Sequence, residues 1–97
     1  MARHRLKKRD THGPRTFYDV RLDLHGMFSE DAMRKVERTI AANPGCSILV
    51  IHGHGSGVLR NAVRGALQAH RLPMVRDYVF GEDINAPVLD GVTVVYT

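Results

Sequence analysis

The chain has 97 residues, of which 43% are hydrophobic and 25% charged, values typical of one ordinary globular domain with a modest core. A single cysteine, Cys46, excludes an intrachain disulfide, and no apolar run reaches the length of a membrane span, so we expect a cytoplasmic protein without membrane contact. The net charge of +4 is uneven: residues 1–16 hold six Lys/Arg and one Asp, whereas residues 17–97 hold eight Lys/Arg and nine Asp/Glu.

The basic segment comes first. Residues 1–16 show no apolar periodicity, which predicts a disordered tail ahead of one folded domain over residues 17–97. Such a tail adds salt-sensitive affinity for polyanions that is independent of sequence. A solvated linker is an equally good interpretation of the same residues.

A strand and a helix open the folded part. Residues 19–25 alternate between polar and apolar side chains, which predicts a strand with Asp23 and His25 on its polar face. Ser29 is predicted to cap a helix that runs at apolar helical spacing to about Ile40. The next segment, Cys46–Ile51, is almost wholly apolar, as expected of a central strand.

The segment from His52 to Gly57 holds three glycines and two histidines between this strand and a second helix. A glycine-rich turn at a helix N-terminus exposes backbone N–H groups at the positive end of the helix dipole, which favours phosphate. A tight turn without ligand is the alternative. The predicted contacts to a phosphate are His52, Gly53, Gly55, Ser56 and Gly57.

The second helix is predicted from Val58 to about His70, with Arg60 and Arg64 on one outward stripe beside the loop. From there both arginines could reach a phosphate held by the loop, and we predict them as further nucleic-acid contacts. A strand from Val75 to Phe80, a loop from Gly81 to Gly91 and a strand from Val92 to Thr97 complete the order β-α-β-α-β-β. The first two strands should be parallel, which brings their carboxyl ends together. Both helices can then cover one sheet face and leave the polar face of the first strand open.

Histidines and a carboxylate should therefore meet at this edge. Phosphodiester cleavage needs an acid, a base and stabilisation of phosphate charge, which His25, His54 and Asp23 could share. An RNA 2′-hydroxyl can serve as nucleophile, so this chemistry requires no metal. A zinc site from the same residues and His52 is conceivable, but the flexible glycines argue against it. Hydrogen bonds that only cap the strand end are the structural alternative.

Two motifs carry a family resemblance. Leu22-Asp23-Leu24-His25-Gly26, followed by the stretch from Ile51 to Arg60, resembles the small MutS-related (Smr) domain. The resemblance implies a two-layer α/β fold, with two helices on one face of a mixed four-stranded sheet, like the C-terminal domain of bacterial translation initiation factor three. It also implies an endonuclease that nicks DNA or cleaves mRNA on stalled ribosomes, which adds the ribosome as a candidate partner.

The family's Asp-x-His motif matches Asp23 and His25, and its Gly-x-Gly loop matches Gly53-His54-Gly55. His54 stands where the family often has Lys or Arg, and the family's loop before the last strand is usually richer in glycine. We expect an endonuclease domain for RNA or DNA, with catalytic Asp23, His25 and His54 and neither metal nor cofactor. A module that binds nucleic acid or the ribosome without cutting is the alternative.

Overall fold

The computed structural model describes residues 17–84 and 89–97. Within them the elements follow the predicted order: β1 (Val20–Asp23), α1 (Ser29–Ala42), β2 (Ser47–Ile51), α2 (Val58–Gln68), β3 (Asp77–Phe80) and β4 (Val92–Tyr96). Short 3-10 helices span Gly81–Asp83 and Leu89–Gly91. The predicted tail and residues 85–88 of the predicted loop lie outside the described residues. Neither α1 nor α2 is long and apolar enough to cross a membrane.

The strands form one mixed sheet in the order β1-β2-β4-β3. β1 and β2 are parallel, with Asp23 opposite Ile51, whereas β4 runs antiparallel to both of its neighbours. Ile51 at the end of β2 faces Val92 at the start of β4. The predicted α/β fold with a mixed four-stranded sheet is confirmed. The carboxyl ends of β1 and β2 therefore meet the start of β4 at one edge.

Both helices cover the same face of this sheet. Alternate residues of β1 and β2 point towards them, because successive side chains of a strand lie on opposite faces. Each apolar side chain buried there contributes roughly 1.5–3 kcal/mol relative to an exposed one. The fully packed members of this core are Leu22, Leu24, Ala32, Val36, Ile40, Ile48, Val50, Val63, Ala66, Leu67, Leu72 and Val95.

Among the described residues, the opposite sheet face is open along β1, the strand whose polar face was predicted to be open. Arg21 and Asp23 are exposed there, as predicted. A second apolar cluster fills the rest of the face, because β4 is buried on both of its sides. That cluster consists of Tyr18, Leu49, Val79, Val92, Val94 and Tyr96.

Two glycines with positive φ shape the turns that follow β1 and β2. Gly26 and Gly57 have φ of 81° and 84°, in the left-handed region that favours glycine. Gly57 occupies the N-cap of α2. At α1 the N-cap is Phe28 rather than the predicted Ser29, and no side-chain hydrogen bond caps this end.

Candidate functional site

An open cleft of about 1060 Å³ lies at the edge where β1 and β2 end. One wall is the turn from His25 to Glu30, and the other is the segment from Ile51 to Leu59. The two walls approach closely, since a Cβ built on Gly53 would lie 3.8 Å from His25 Cβ. The parallel pairing of β1 and β2 thus brings the two sequence motifs into one site.

Asp23 and His25 form a hydrogen-bonded pair beside this cleft. The Asp23 Oδ1 atom lies 2.7 Å from His25 Nδ1 and also accepts the backbone N–H of His25 at 3.1 Å. The hydrogen bond from the imidazole lowers the pKa of Asp23 below its usual value. An ionised carboxylate can only accept, so Nδ1 carries the proton of this bond and Nε2 remains free for a ligand. The side chains are 74% and 53% exposed for His25 and Asp23, as a site for a large substrate requires.

The glycine loop offers its backbone to the cleft. Gly53 has φ of 79°, and its N–H donates to Gly91 O at 2.9 Å, so this amide is already engaged. His52 N–H donates to the same oxygen at 3.0 Å. No described residue accepts a hydrogen bond from the backbone N–H groups of residues 54–57. These amides, at the N-terminus of α2, form the part of the loop suited to an anion.

Asp90 is a member of the site that sequence reasoning missed. Its Oδ1 lies 2.7 Å from His54 Nδ1, and its Oδ2 accepts a hydrogen bond from Arg60 Nη1 at 3.3 Å. His54 is therefore paired with a carboxylate through Nδ1, as His25 is. One feature of the sequence could have indicated this role of Asp90. It lies two residues before β4, and the pairing of β4 with β2 places that position next to the loop.

His52 lies inside the domain rather than on the cleft surface. Its side chain is 5% exposed, with Nε2 2.9 Å from the Thr93 hydroxyl and Nδ1 3.3 Å from Gly53 O. Burial disfavours the charged imidazole and lowers the pKa of His52. A phosphate contact from this ring, as predicted, would require it to leave Thr93. We assign His52 the role of fixing the start of the loop.

Stability should depend on pH through His52. Because the folded state lowers its pKa, the unfolded state binds more protons, and stability present above about pH 6.5 is lost as the pH falls. We expect the free energy of unfolding to decrease from pH 7.5 to 5.5 and His52→Gln to flatten that dependence. Urea titrations across this range test it, with His70→Asn as the control at an exposed histidine. An equal pH dependence in His52→Gln would contradict this role.

Arg64 binds Glu82 and β4, although the helical spacing predicted a stripe shared with Arg60 beside the loop. Its guanidinium makes two hydrogen bonds to Glu82, at 2.8 and 2.9 Å, and lies 4.0 Å above the Phe80 ring. It also donates to the Thr93 hydroxyl and to Val92 O. The hydrogen bonds from Arg64 lower the pKa of Glu82. With its side chain only 12% exposed, Arg64 ties α2 to the sheet, and its predicted phosphate contact would break these bonds.

The structure thus brings most predicted site residues to one cleft and turns two of them inward. His25, Gly53, His54, Gly55, Ser56 and Gly57 line it, with Asp23 held against His25 and Arg60 linked to His54 through Asp90. His52 lines it although it is buried, and Arg64 does not line it. Over residues 17–84 and 89–97, no group of three His, Cys, Asp or Glu side chains is arranged to hold a metal ion.

Residues 22–97 match the family described as Smr domain. The chain is 37% identical over 81 residues to "Endonuclease MutS2" of Caldicellulosiruptor bescii, which covers 79% of this chain and 10% of that protein. It is 41% identical over 82 residues to "Endonuclease MutS2" of Bacillus mycoides, with coverage of 79% and 9%. The chain therefore corresponds to about a tenth of the length of these relatives.

A solved structure supports the same relationship. The crystal structure of the Smr domain of Thermus thermophilus MutS2 superposes with a TM-score of 0.66 at 29% sequence identity. The superposition covers 78% of this chain and 94% of that domain. The similarity therefore extends over most of this chain and nearly all of that domain.

Proposed function

This chain belongs to the Smr domain family, and from that premise we propose that it binds nucleic acid in the cleft and cleaves RNA without a metal ion. One observation carries the proposal: two histidines, His25 and His54, each paired through Nδ1 with a carboxylate, flank one cleft. Two such imidazoles can supply the acid and the base of phosphodiester cleavage. The curated relatives carry the name endonuclease, which agrees with this class of reaction.

Binding rests on the loop and its charges. The free amides of residues 54–57 and the N-terminus of α2 are suited to a phosphodiester oxygen. Arg60, whose guanidinium lies 2.9 Å from a Cβ position built on Gly57, adds positive charge at the same place. Contacts of this kind recognise the backbone and not the base sequence. We expect salt-sensitive binding with little sequence preference, strengthened by the basic residues 1–16.

The proposed reaction uses the RNA as its own nucleophile. His54 Nε2 takes the proton of the 2′-hydroxyl, whose oxygen attacks the adjacent phosphorus. The P–O5′ bond breaks, and His25 Nε2 gives a proton to the leaving 5′ oxygen. The products are a 2′,3′-cyclic phosphate and a 5′-hydroxyl. Asp90 holds His54 in the Nδ1–H tautomer, so that its Nε2 can accept the proton. His25 enters the reaction as the imidazolium, with Nδ1–H bonded to Asp23 and Nε2–H available to donate, and the loop amides stabilise the charge that develops on phosphate.

A cleavage assay with RNA, duplex DNA and branched DNA, with and without chelator, tests this function. We expect cleavage of RNA to continue in chelator and to fail when a 2′-deoxynucleotide replaces the residue at the cut site. Binding without cleavage of any substrate would favour a non-catalytic module. A strict metal requirement would favour a hydrolytic DNA mechanism.

The glycine at the centre of the loop allows a clean test of binding. Apart from its chain neighbours, no described atom lies within 4 Å of a Cβ built on Gly55, and its φ is not positive, so the described part of the chain leaves room for a Cβ there. Gly55→Val should leave the unfolding free energy within about 0.5 kcal/mol while it covers the amides and weakens RNA binding roughly tenfold. Fluorescence anisotropy measures this, with Gly65→Ala, equally uncrowded but outside the cleft, as the control. Unchanged affinity would remove the loop from the binding site.

Asp90 should affect binding and cleavage in opposite directions. Its carboxylate offsets the charge of Arg60 where a phosphate would bind, so Asp90→Asn should raise RNA affinity about threefold at low salt. The same change removes the partner of His54 Nδ1 and should slow cleavage. Asp31→Asn is the matched control, because it removes an equal charge from an exposed ion pair with Arg34 elsewhere. Equal effects of the two variants would show that only net charge matters.

The cellular setting follows the same proposal. We expect a cytoplasmic domain, consistent with the unpaired Cys46, and ribosome-bound RNA is a candidate substrate. Co-sedimentation with ribosomes at rising salt would test that partner. If the main product is nicked DNA instead, the same site would have a function in DNA repair or recombination.

A further inference from the structure

Phe28 is the most exposed large apolar residue of the described chain. Its side chain is 83% exposed, next to His25 and Gly26 at the start of α1. The backbone on both sides is fixed, since Met27 N–H donates to Leu24 O at 3.1 Å and Ala32 N–H donates to Phe28 O at 2.9 Å. The ring therefore projects into solvent from a defined position.

Apolar residues also line the opposite side of the cleft from the Phe28 ring. Phe28 and Met27 belong to one wall, whereas Val58 and Leu59 belong to the opposite wall, immediately after the glycine loop. Val58 is 57% exposed. The cleft thus presents two chemistries side by side: free amides and an arginine near Gly57, and exposed apolar surface around Phe28.

Single-stranded nucleic acid carries the same two chemistries along its chain. Each phosphate is flanked by bases whose flat faces stack on aromatic side chains, and this contact tolerates any sequence. In a duplex these faces are covered by neighbouring base pairs. An exposed aromatic ring beside a loop that binds phosphate would therefore favour single-stranded nucleic acid over a duplex.

We propose that Phe28 is the stacking platform for an unpaired base, so that the ligand of the cleft is single-stranded RNA or an unpaired loop. The inference rests on the proposed function and adds the substrate class to it. Val58 and Met27 supply apolar contact to the edge of the same base. The phosphate next to this base occupies the amides of residues 54–57.

Anisotropy with a labelled single-stranded hexaribonucleotide and the corresponding duplex tests the proposal. Phe28→Ala should weaken single-strand binding roughly tenfold and leave duplex binding unchanged. Phe17→Ala is the matched control, a phenylalanine that is 68% exposed and lies outside the cleft. An equal loss in both variants, or none in Phe28→Ala, would overturn the assignment.

A second variant gives a readout independent of affinity. The chain contains no tryptophan, so Phe28→Trp introduces a single reporter whose ring can also stack. Its fluorescence should be quenched by the hexaribonucleotide and much less by an oligomer of abasic sugar-phosphates. Equal quenching by both would contradict stacking. If the parent protein binds neither RNA form, the proposed function fails; if it binds while Phe28 has no effect, only this inference fails.

Discussion

His25→Ala should reduce RNA cleavage at least a hundredfold while binding and folding persist. The loss follows from the removal of a proton-transfer group, since general acid–base catalysis contributes roughly 10²–10⁴-fold. Asp23→Asn should lower the rate in the same direction, because asparagine can accept the bonds of Asp23 but cannot stabilise a charged imidazole. Both side chains are more than half exposed, so the unfolding free energy should change by no more than about 0.5 kcal/mol.

Single-turnover rates with excess protein separate chemistry from binding, and anisotropy measures affinity for an RNA with a 2′-deoxynucleotide at the cut site. Asp31→Asn serves as control for loss of a surface carboxylate. Cleavage by the Asp23 and His25 variants at the parent rate would leave the pair with a structural role only. His54→Arg then separates two roles of the loop histidine: the rate is kept if His54 mainly contacts phosphate and is lost if it is the base.

Among glycine-to-alanine substitutions near the cleft, Gly81→Ala should destabilise the domain most. A Cβ built at Gly81 would overlap Leu89 O and Val92 Cγ2, and Gly81 is buried. Relief requires the segment before β4 to move, at a cost of about 3 kcal/mol. That movement would displace Asp90 from His54 and Gly91 O from the loop amides, so RNA affinity should change as well.

Gly65→Ala is the internal comparison for this prediction. It lies within α2, has no atom within 4 Å of its Cβ position, and should stabilise the protein by about 0.5–1 kcal/mol. Urea unfolding of both variants gives the difference directly. Equal stability of Gly81→Ala and the parent would mean that the segment from Leu89 to Gly91 is free to rearrange.

Local pattern was enough to predict the fold and half of the site. Alternation in residues 19–25, the apolar run to Ile51 and the glycines after it determined the order of elements and the parallel pairing. That pairing in turn placed His25 beside Gly53. Each of these inferences needed only neighbours along the chain or a general rule of handedness.

The remaining contacts join residues far apart in sequence and could not be read from spacing. Arg60 and Arg64 are one helical turn apart, yet Arg60 reaches Asp90 and Arg64 reaches Glu82. Those acidic partners lie on either side of residues 85–88, in a segment without periodicity. The residues around His52 in the sequence do not indicate that it is buried. Its hydrogen-bond partner Thr93 lies 41 residues later, in β4. The partner of each charged group decides whether it is free for a ligand.

The central claim is that nucleic acid occupies the cleft between the His25–Glu30 turn and the glycine loop. An NMR titration of the uniformly ¹⁵N-labelled protein with the single-stranded hexaribonucleotide tests it most directly. The largest amide shifts should fall on residues 25–30 and 53–58, with smaller shifts at Asp90 and Gly91. Shifts confined to residues 1–16, or centred on β3, the outer strand on the opposite side of the sheet from β1, would contradict it.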